Sequence, residues 1–278
     1  MYRGESENPF LYYSITCVAS LVKNISGKRI DITVENCNGF YYNGVKTGFG
    51  SSSSTVVCVV ASLLYAWRVI CKNLSPEDRD IVLSCARDAH FLSQNKSGSG
   101  YDILTSIFGG LLFKKEDPAV RPFSFPSSMT VLFSCGGNKS SSTSSFVSKV
   151  KEWLSTTDRA DVWDRYRQNN DRMIETLCSS PGNTMLLKTL FEEKLEILFL
   201  ISQLSNVEVV PEVVYKLMKK TNSIGGVIGC SVAGAGGYDS FYCVTEDSSC
   251  MEQIRAVWNE FGYDLSTVKV KDDRLSIQ

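Results

Sequence analysis

The chain has 278 residues, of which 43% are hydrophobic, 21% charged and 11% aromatic. This length suffices for two domains of ordinary size, and the composition excludes a disordered tail, a collagen-like fibre and a coiled coil. With 29 Lys and Arg against 30 Asp and Glu, the net charge of -1 does not provide the cationic field of a nucleic-acid-binding protein.

Helical periodicity and glycine-rich loops alternate in the first part of the chain. Asn8 is placed to cap a helix with Pro9 in its first turn, and Ser75 caps a helix with an acidic first turn. In chain order we predict a helix over Asn8–Val22, a strand over Arg29–Val34, a loop over Asn36–Ser54, a buried helix over Thr55–Ile70, a helix over Ser75–Gln94, a loop over Lys96–Gly100, a short helix over Asp102–Phe108 and a strand from Leu111.

The composition changes between Asp117 and Ser128, where three prolines indicate a domain junction. We therefore expect two domains, over residues 1–120 and 121–278. Beyond the junction we predict a strand over Met129–Ser134, a polar loop over Gly136–Ser145, helices over Phe146–Leu154, Thr184–Leu204 and Val210–Lys220, a glycine-rich segment over Gly225–Gly237, a strand over Ser240–Thr245, a helix over Ile254–Phe261 and a strand over Thr267–Lys271.

The numbers and positions of histidines and cysteines limit the possible catalytic and metal sites and indicate the redox compartment of the protein. His90 is the only histidine, which disfavours a catalytic triad or a histidine-rich zinc site. The ten cysteines form no CxxC pair, and several, such as Cys58 and Cys243, lie within apolar runs, as expected of small buried residues in a reducing compartment. The sequence contains neither a signal peptide nor an apolar stretch of membrane-spanning length. We expect a soluble, cytoplasmic protein.

The first candidate site is the loop Lys46–Ser54, KTGFGSSSS, which immediately precedes a buried helix. Glycines allow backbone N–H groups to approach an anion, and the helix N-terminus adds unpaired N–H groups and a positive dipole end. The hydroxyls of Ser51 and Ser52 are candidates for phosphate or Mg²⁺. The loop lacks the Walker A pattern, and a plain linker is the alternative interpretation.

A second candidate site spans Gln94–Asp102, QNKSGSGYD, where a lysine and a carboxylate flank a flexible loop. Lys96 is a candidate phosphate ligand, and Asp102 a candidate group for orienting the nucleophile or Mg²⁺. The alternative for Asp102 is an ordinary helix N-cap.

The third candidate site is Ala233–Asp239, AGAGGYD, with three glycines in four residues before a strand. Such a segment allows close backbone approach to a ligand or to another part of the chain. A tight turn is the alternative interpretation.

Together, the three loops resemble the GHMP small-molecule kinases, and more closely the eukaryotic phosphomevalonate kinase family within them. KTGFGSS matches the family's KTGLGSS, Ala89–Gly109 matches AHxxAQGKxGSGFDVAAAxYG, and Ala233–Ser240 matches PGAGGYDA. The resemblance implies an α+β, two-domain GHMP kinase fold, with an S5-domain-2-like first domain and a ferredoxin-like second domain. It also implies an active site in the cleft between the domains.

The resemblance further implies transfer of the ATP γ-phosphoryl group to 5-phosphomevalonate, with Mg²⁺, by a monomer, a dimer being the alternative. The implied catalytic residues are Asp102 and Lys96. ATP would be bound by Lys46, Gly48, Gly50, Ser51, Ser52 and Ser53, with Ser52 near Mg²⁺. Substrate would be bound by Ser97, Gly98, Ser99, Lys139, Ser141, Thr143, Gly234, Ala235, Gly236 and Gly237. His90 is expected to be structural.

The sequence also departs from the family's pattern. The PGK and GGYxVL segments, which precede NPF in the family, have no counterpart here, and Ser134-Cys135 replaces a GD pair. We therefore expect the first domain to lack its first strands and one phosphate-binding lysine. The alternative function is a catalytically impaired GHMP-fold protein that binds a metabolite or acts as a regulatory module.

Overall fold

The computed structural model describes residues 8–22, 30–35, 40–42, 45–46, 49–95, 99–114, 117–135, 143–238, 241–268 and 274–277. The helices are α1 Pro9–Leu21, α2 Ser51–Ala66, α3 Pro76–Gln94, α4 Tyr101–Phe108, α5 Thr143–Thr156, α6 Ala160–Ser179, α7 Thr184–Ser205, α8 Glu212–Asn222 and α9 Met251–Glu260. The strands are β1 Tyr41–Tyr42, β2 Val45–Lys46, β3 Leu111–Lys114, β4 Asp117–Pro122, β5 Thr130–Cys135, β6 Val227–Val232, β7 Phe241–Thr245 and β8 Asp264–Val268.

The chain divides into two compact units. The first unit contains Met1–Phe40, Phe49–Ser124 and Lys271–Gln278, and the second contains Tyr41–Gly48 and Phe125–Val270. The division after residue 120 expected from the sequence stays a prediction.

Caps define two of the helices in the first unit, as the sequence predicts. Oδ1 of Asn8 accepts hydrogen bonds from the N–H groups of Phe10 and Leu11, at 3.0 and 3.4 Å, where α1 begins. At the start of α3, Ser75 and Asp78 form a reciprocal capping box, with distances of 3.0 and 3.1 Å. The capping box satisfies two N–H groups that have no intrahelical acceptor.

Helix α2 is the centre of the first hydrophobic core. Its buried side chains include Val56, Val57, Val60 and Leu64, and they pack with residues of α1, α3 and α4 such as Val18, Val82 and Ile103. The helix begins at Ser51 and ends at Ala66, whereas the sequence predicted Thr55–Ile70. Burial on several sides explains why its sequence is almost continuously apolar. Cys58 on this helix is exposed, against expectation.

The strand predicted over Arg29–Val34 is wrong. The described part of it, residues 30–34, forms no strand, because no segment among the described residues pairs with it. An alternating pattern needs a neighbouring ladder to become a strand. These residues instead line an apolar cavity of about 460 Å³ beside α2, together with Phe40 and side chains such as Cys58 and Leu63.

Strand β3 forms a hairpin with β4, which lies in the segment predicted to be a proline-rich junction. Leu111 is opposite Pro122, and Lys114 is opposite Asp117. The prolines of β4 are tolerated because each strand of a two-stranded hairpin has a free edge. The C-terminal residues also belong to this unit: the Leu275 N–H donates to the Ile107 carbonyl at 3.1 Å, and Arg79 Nη1 donates to the Leu275 carbonyl at 2.9 Å.

The second unit is built on a four-stranded antiparallel sheet with the order β6-β7-β5-β8. Helices separate β5 from β6, β6 and β7 follow one another, and α9 separates β7 from β8. This β-α-β-β-α-β succession, with its first strand central beside its fourth, is the ferredoxin-like arrangement. The ferredoxin-like second domain implied by the sequence is therefore confirmed.

The core of the second unit explains why these elements hold together. Leu195, Ile201, Leu217, Phe241 and Trp258 are among its fully buried side chains. Every residue of β6 is buried, although the sequence placed β6 inside a glycine-rich loop. Strand β8 begins at Asp264, three residues before its predicted start.

Within the described residues, no helix combines the length and apolar character needed to cross a membrane.

Candidate functional site

The N-terminus of α2 presents backbone N–H groups ahead of its regular hydrogen bonds. The first regular bond runs from the N–H of Ser54 to the carbonyl of Gly50, at 3.0 Å. The N–H of Ser51 donates to the carbonyl of Phe49, so among the described residues the N–H groups of Ser52 and Ser53 have no backbone acceptor. The first turn contains no acidic residue. Because helix N-termini carry a partial positive charge, this end of α2 suits an anion such as a phosphate.

Asp102 lies directly against this helix end. A Cβ built on Gly50 would be 3.2 Å from both Cβ and Cγ of Asp102, and 3.4 Å from its Oδ2. A side chain at residue 50 would therefore require the Asp102 side chain to shift by a few tenths of an ångström, whereas the φ of Gly50, -52°, is an ordinary backbone angle. The structure thus brings Gly50 of the first sequence-predicted loop and Asp102 of the second together, with a carboxyl group beside the N-terminus of α2.

The N-cap interpretation of Asp102 is wrong. Gly100 is the N-cap of α4, with φ 76°, and Asp102 is the second residue of the helix. Its backbone carbonyl accepts hydrogen bonds from Thr105 Oγ1 at 3.1 Å and Ser106 Oγ at 2.7 Å. Its carboxyl group is therefore not used to cap its own helix.

His90 on α3 faces the same serines. Its Nε2 is 3.4 Å from Ser52 Oγ and 3.3 Å from Ser53 Oγ. The side-chain amide of Gln94 donates to this Nε2 at 2.9 Å. Because that ring nitrogen accepts, the imidazole is the neutral tautomer that carries its proton on Nδ1. Ser53 is buried and turned towards the histidine, whereas Ser51 and Ser52 are half-buried.

Burial shifts the pKa values of both titratable groups towards their neutral forms. It raises the pKa of Asp102 above its ordinary 3.8, with His90 acting in the opposite direction. It lowers the pKa of His90 below its ordinary 6.5, with Asp102 again opposing. Desolvation is the larger effect in each case, as expected for groups removed from water without a full ion pair.

The lowered pKa of His90 predicts a pH-dependent stability. The unfolded chain binds a proton at His90 at a higher pH than the folded chain does, so the folded state loses stability as the pH falls below about 6.5. We expect the urea midpoint of His90→Gln to fall less than that of the unmutated chain between about pH 7.5 and pH 5.5. Asp88→Asn, on the same helix, is the control. An equal fall in the His90→Gln and unmutated chains would contradict this prediction.

Several sequence-predicted site residues lie outside the described residues. They are Gly48, Lys96, Ser97, Gly98, Lys139 and Ser141. Lys46 and Thr143 are described only as backbone, in β2 and at the start of α5. Ser99 is described and exposed, next to the N-terminus of α4. The roles of all these residues stay predictions.

The third glycine-rich loop makes a close contact within the second unit. A Cβ on Gly236 would be 2.1 Å from the carbonyl oxygen of Val209, and its φ is 81°. The N–H of Gly237 donates to the same carbonyl at 2.9 Å. Gly236 is therefore required by another chain segment, one of the alternatives open from the sequence. Gly234 is exposed, and Ala235 is partly buried in this loop.

Sequence reasoning missed the contribution of α3 to this site. His90 was expected to be structural and Gln94 was given no role, yet His90 reaches the N-terminus of α2 and Gln94 hydrogen-bonds to His90. Their four-residue spacing was an available signal, because it places both side chains on one face of the helix.

Structural matches to proteins of similar fold extend over almost the whole chain. The Lin0012 protein of Listeria innocua has a TM-score of 0.73 at 18% identity, covering 97% of this chain and 81% of that one. A Streptococcus pneumoniae phosphomevalonate kinase, in complex with phosphomevalonate and AMPPNP, has a TM-score of 0.68 at 16% identity, covering 96% and 83%. A family model described as GHMP kinases C terminal matches residues 186–264. The chain has the GHMP kinase fold. The α+β class predicted from the sequence is thus confirmed.

Relatives are found by sequence as well. A phosphomevalonate kinase of Aspergillus fumigatus is 28% identical over 252 residues, covering 73% of this chain and 51% of that protein. A phosphomevalonate kinase of Arabidopsis thaliana, named peroxisomal, is 26% identical over 309 residues, covering 82% and 60%. The resemblance stated from the motifs is confirmed, and the chain spans between half and three fifths of these relatives' length.

Proposed function

We propose that this chain transfers the γ-phosphoryl group of ATP to the phosphate of 5-phosphomevalonate, giving 5-diphosphomevalonate and ADP. The carrying observation is the position of the Asp102 carboxyl group, whose Cγ is 3.2 Å from the place that a Cβ on Gly50 would take at the N-terminus of α2. Relatives named phosphomevalonate kinase support the choice of acceptor. The cytoplasmic location and the monomeric state remain part of this proposal.

The N-terminus of α2 fits the phosphates of ATP. It offers the N–H groups of Ser52 and Ser53 and the half-buried hydroxyls of Ser51 and Ser52, and its first turn carries no carboxylate. Gly50 leaves the space that a Cβ would fill. Lys46 and Gly48 would complete the ATP-binding loop. Backbone donors fixed in this way stabilise negative charge without reorganising during the reaction.

Ser52 and Asp102 would hold Mg²⁺, which supplies charge neutralisation between phosphate oxygens when bound. Both side chains offer the oxygen ligands that this ion prefers. Within the described residues no three His, Cys, Asp or Glu side chains form a metal-binding group. Such a sparse protein donor set suits an ion held mainly by the substrate's phosphates.

The phosphate of 5-phosphomevalonate, the proposed acceptor, does not require a strong general base, so the raised pKa of Asp102 is compatible with the reaction. A phosphate monoester has a second pKa of about 6, so its attacking oxygen is already largely ionised at neutral pH. Asp102 therefore orients the acceptor or the ion rather than removing a proton from a poor acid. Lys96 would neutralise the acceptor, aided by Ser97, Gly98 and Ser99. Lys139, Ser141, Thr143 and the loop Gly234–Gly237 complete the proposed substrate contacts.

A coupled assay of ADP release tests the proposal directly. The chain is incubated with MgATP and 5-phosphomevalonate, with mevalonate as the matched acceptor that lacks the phosphate. We expect ADP release with 5-phosphomevalonate well above that with mevalonate or with no acceptor. Binding of both ligands without ADP release would instead favour the metabolite-binding alternative, and binding of neither would contradict both functions.

A further inference from the structure

The third glycine-rich loop is attached at two points to the segment Val207–Val210, which lies between α7 and α8. The N–H of Gly237 donates to the carbonyl of Val209 at 2.9 Å. The phenol of Tyr238, the next residue, donates to Oε1 of Glu208 at 2.6 Å. Neighbouring residues of the loop are therefore held by neighbouring residues of the α7–α8 segment, once through the backbone and once through side chains.

The α7–α8 segment is itself fixed to the end of α7. Asn206 ends this helix with a left-handed backbone, at φ 54°. Oγ of Ser202 accepts a hydrogen bond from the N–H of Val210 at 2.8 Å and donates to the carbonyl of Leu198 at 2.9 Å. Ser202 and Val210 are both buried, so water does not compete for the bond between them. The exposed side chain of Glu208 thus projects from a rigid support.

The backbone of the glycine-rich loop needs such a support. Gly234, Gly236 and Gly237 have φ values of 58°, 81° and 101°, and Ala235 between them has a negative φ. Glycine adopts positive φ readily, but it also has the most backbone freedom to lose when a conformation is fixed. Among the described residues, the N–H groups of Gly234 and Ala235 have no backbone acceptor. Successive N–H groups in a turn of this kind form a concave site for an anion, provided that the turn is held in one conformation.

The hydrogen bond between Tyr238 and Glu208 is of the strong, charge-assisted kind. A hydroxyl that donates to a carboxylate forms such a bond at about 2.5–2.7 Å. This bond raises the pKa of Tyr238 to about 12, so the phenol keeps the shared proton at neutral pH. The ring of Tyr238 also packs against the core of the second unit. Tyr238 is therefore fixed at both ends of its side chain, and it fixes the loop that precedes it.

We propose that Glu208 is a positioning residue for the acceptor: through Tyr238 it holds the loop Gly234–Gly237 in the conformation that receives the acceptor's phosphate. This inference rests on the proposed function, in which that loop contacts 5-phosphomevalonate. Because the loop is ordered before the acceptor arrives, binding loses less conformational entropy and the affinity is higher. Such an effect on binding raises KM when it is lost and leaves kcat nearly unchanged.

Amide hydrogen exchange tests the positioning without any catalysis. Mass spectrometry follows peptides that contain Gly236 and Gly237 in the unmutated chain, in Glu208→Ala and in Tyr238→Phe, and circular dichroism verifies that each variant is folded. We expect exchange in these peptides to be about fivefold faster in either variant. Glu212→Ala removes another exposed carboxylate, at the start of α8, and is the control that should leave exchange unchanged. Unchanged exchange in Glu208→Ala and Tyr238→Phe would overturn the proposal.

Steady-state kinetics tests the consequence for the acceptor. Glu208→Ala and Tyr238→Phe are each expected to raise the KM for 5-phosphomevalonate about fivefold, with kcat and the KM for ATP nearly unchanged. Glu208→Gln keeps an oxygen that accepts from the phenol and should restore most of the affinity. The double variant should fall short of the product of the two single effects, because both changes remove the same bond. An unchanged KM in a variant whose loop exchanges faster would overturn the proposal.

Failure of the proposed function gives a different result from failure of this inference. Absence of ADP release from the unmutated chain contradicts the proposed function, and the Kd for 5-phosphomevalonate, measured by calorimetry, then replaces KM. A Kd about fivefold higher in Glu208→Ala than in the unmutated chain would still support the positioning role. An equal Kd, or no binding by the unmutated chain, would overturn it.

Discussion

Gly229→Ala is expected to lower the free energy of unfolding by about 3 kcal/mol or more. A Cβ on Gly229 would lie 2.2 Å from Cβ and 2.4 Å from Cγ of Phe191, where β6 packs against α7. Neither residue has a flexible end that moves aside, since Phe191 is itself 3% exposed. Urea unfolding followed by circular dichroism measures the loss.

Two further variants identify the cause of that loss. Gly225→Ala is the matched control, because a Cβ there meets no heavy atom within 4 Å and β6 begins two residues later. We expect it to change the urea midpoint little. Phe191→Ala should not rescue Gly229→Ala, because the shorter side chain keeps the Cβ that makes the 2.2 Å contact. A Gly229→Ala midpoint equal to that of Gly225→Ala would contradict the prediction.

Asp102→Asn is expected to lower the rate of ADP release about 100-fold while the protein stays folded, because the acceptor or Mg²⁺ loses its orientation. The amide keeps the shape of the side chain against Gly50 but cannot carry the charge that orients the acceptor or Mg²⁺. The measurement is the coupled assay at saturating MgATP and 5-phosphomevalonate, together with urea unfolding at pH 7.

The same substitution should stabilise the fold slightly at neutral pH. Burial raises the pKa of Asp102, so the ionised carboxylate costs folding free energy above that pKa, and a neutral amide removes this cost. Asp88→Asn, an exposed carboxylate on α3, is the control and should change neither activity nor stability. Unchanged ADP release in Asp102→Asn would show that the proposed role is wrong.

Local sequence signals predicted most of the helices. They did not predict the residues at which α2 and α4, the helices of the candidate site, begin. The serines of α2 are poor helix formers, so the sequence placed the start at Thr55. The helix begins at Ser51 because the apolar residues that follow are buried and extend it towards Gly50. Likewise, only the left-handed backbone of Gly100 showed that Asp102 is not a cap.

Long-range pairing explains the wrong strand predictions. The alternation of apolar and polar residues over Arg29–Val34 is the local pattern of a strand. A strand also needs a neighbouring strand to pair with, and no local pattern reveals whether one is present. The reverse occurred at β6, where glycines suggested a loop. Gly229 instead lies in a strand and allows Phe191, which is far away in the sequence, to pack closely against it. The juxtaposition of Gly50 and Asp102 is of the same kind, and only the motif resemblance anticipated it.

The central position of β5 in the sheet affects when the second unit can fold during synthesis. Thr130 pairs with Thr245, which is 115 residues later, and the other edge of β5 pairs with β8, which is later still. During synthesis both edges of β5 stay unpaired until nearly the whole unit has left the ribosome. Sheets that depend on such distant pairing form slowly and expose strand edges meanwhile. We therefore expect the sheet of the second unit to form late in synthesis, once β8 is available to pair with β5.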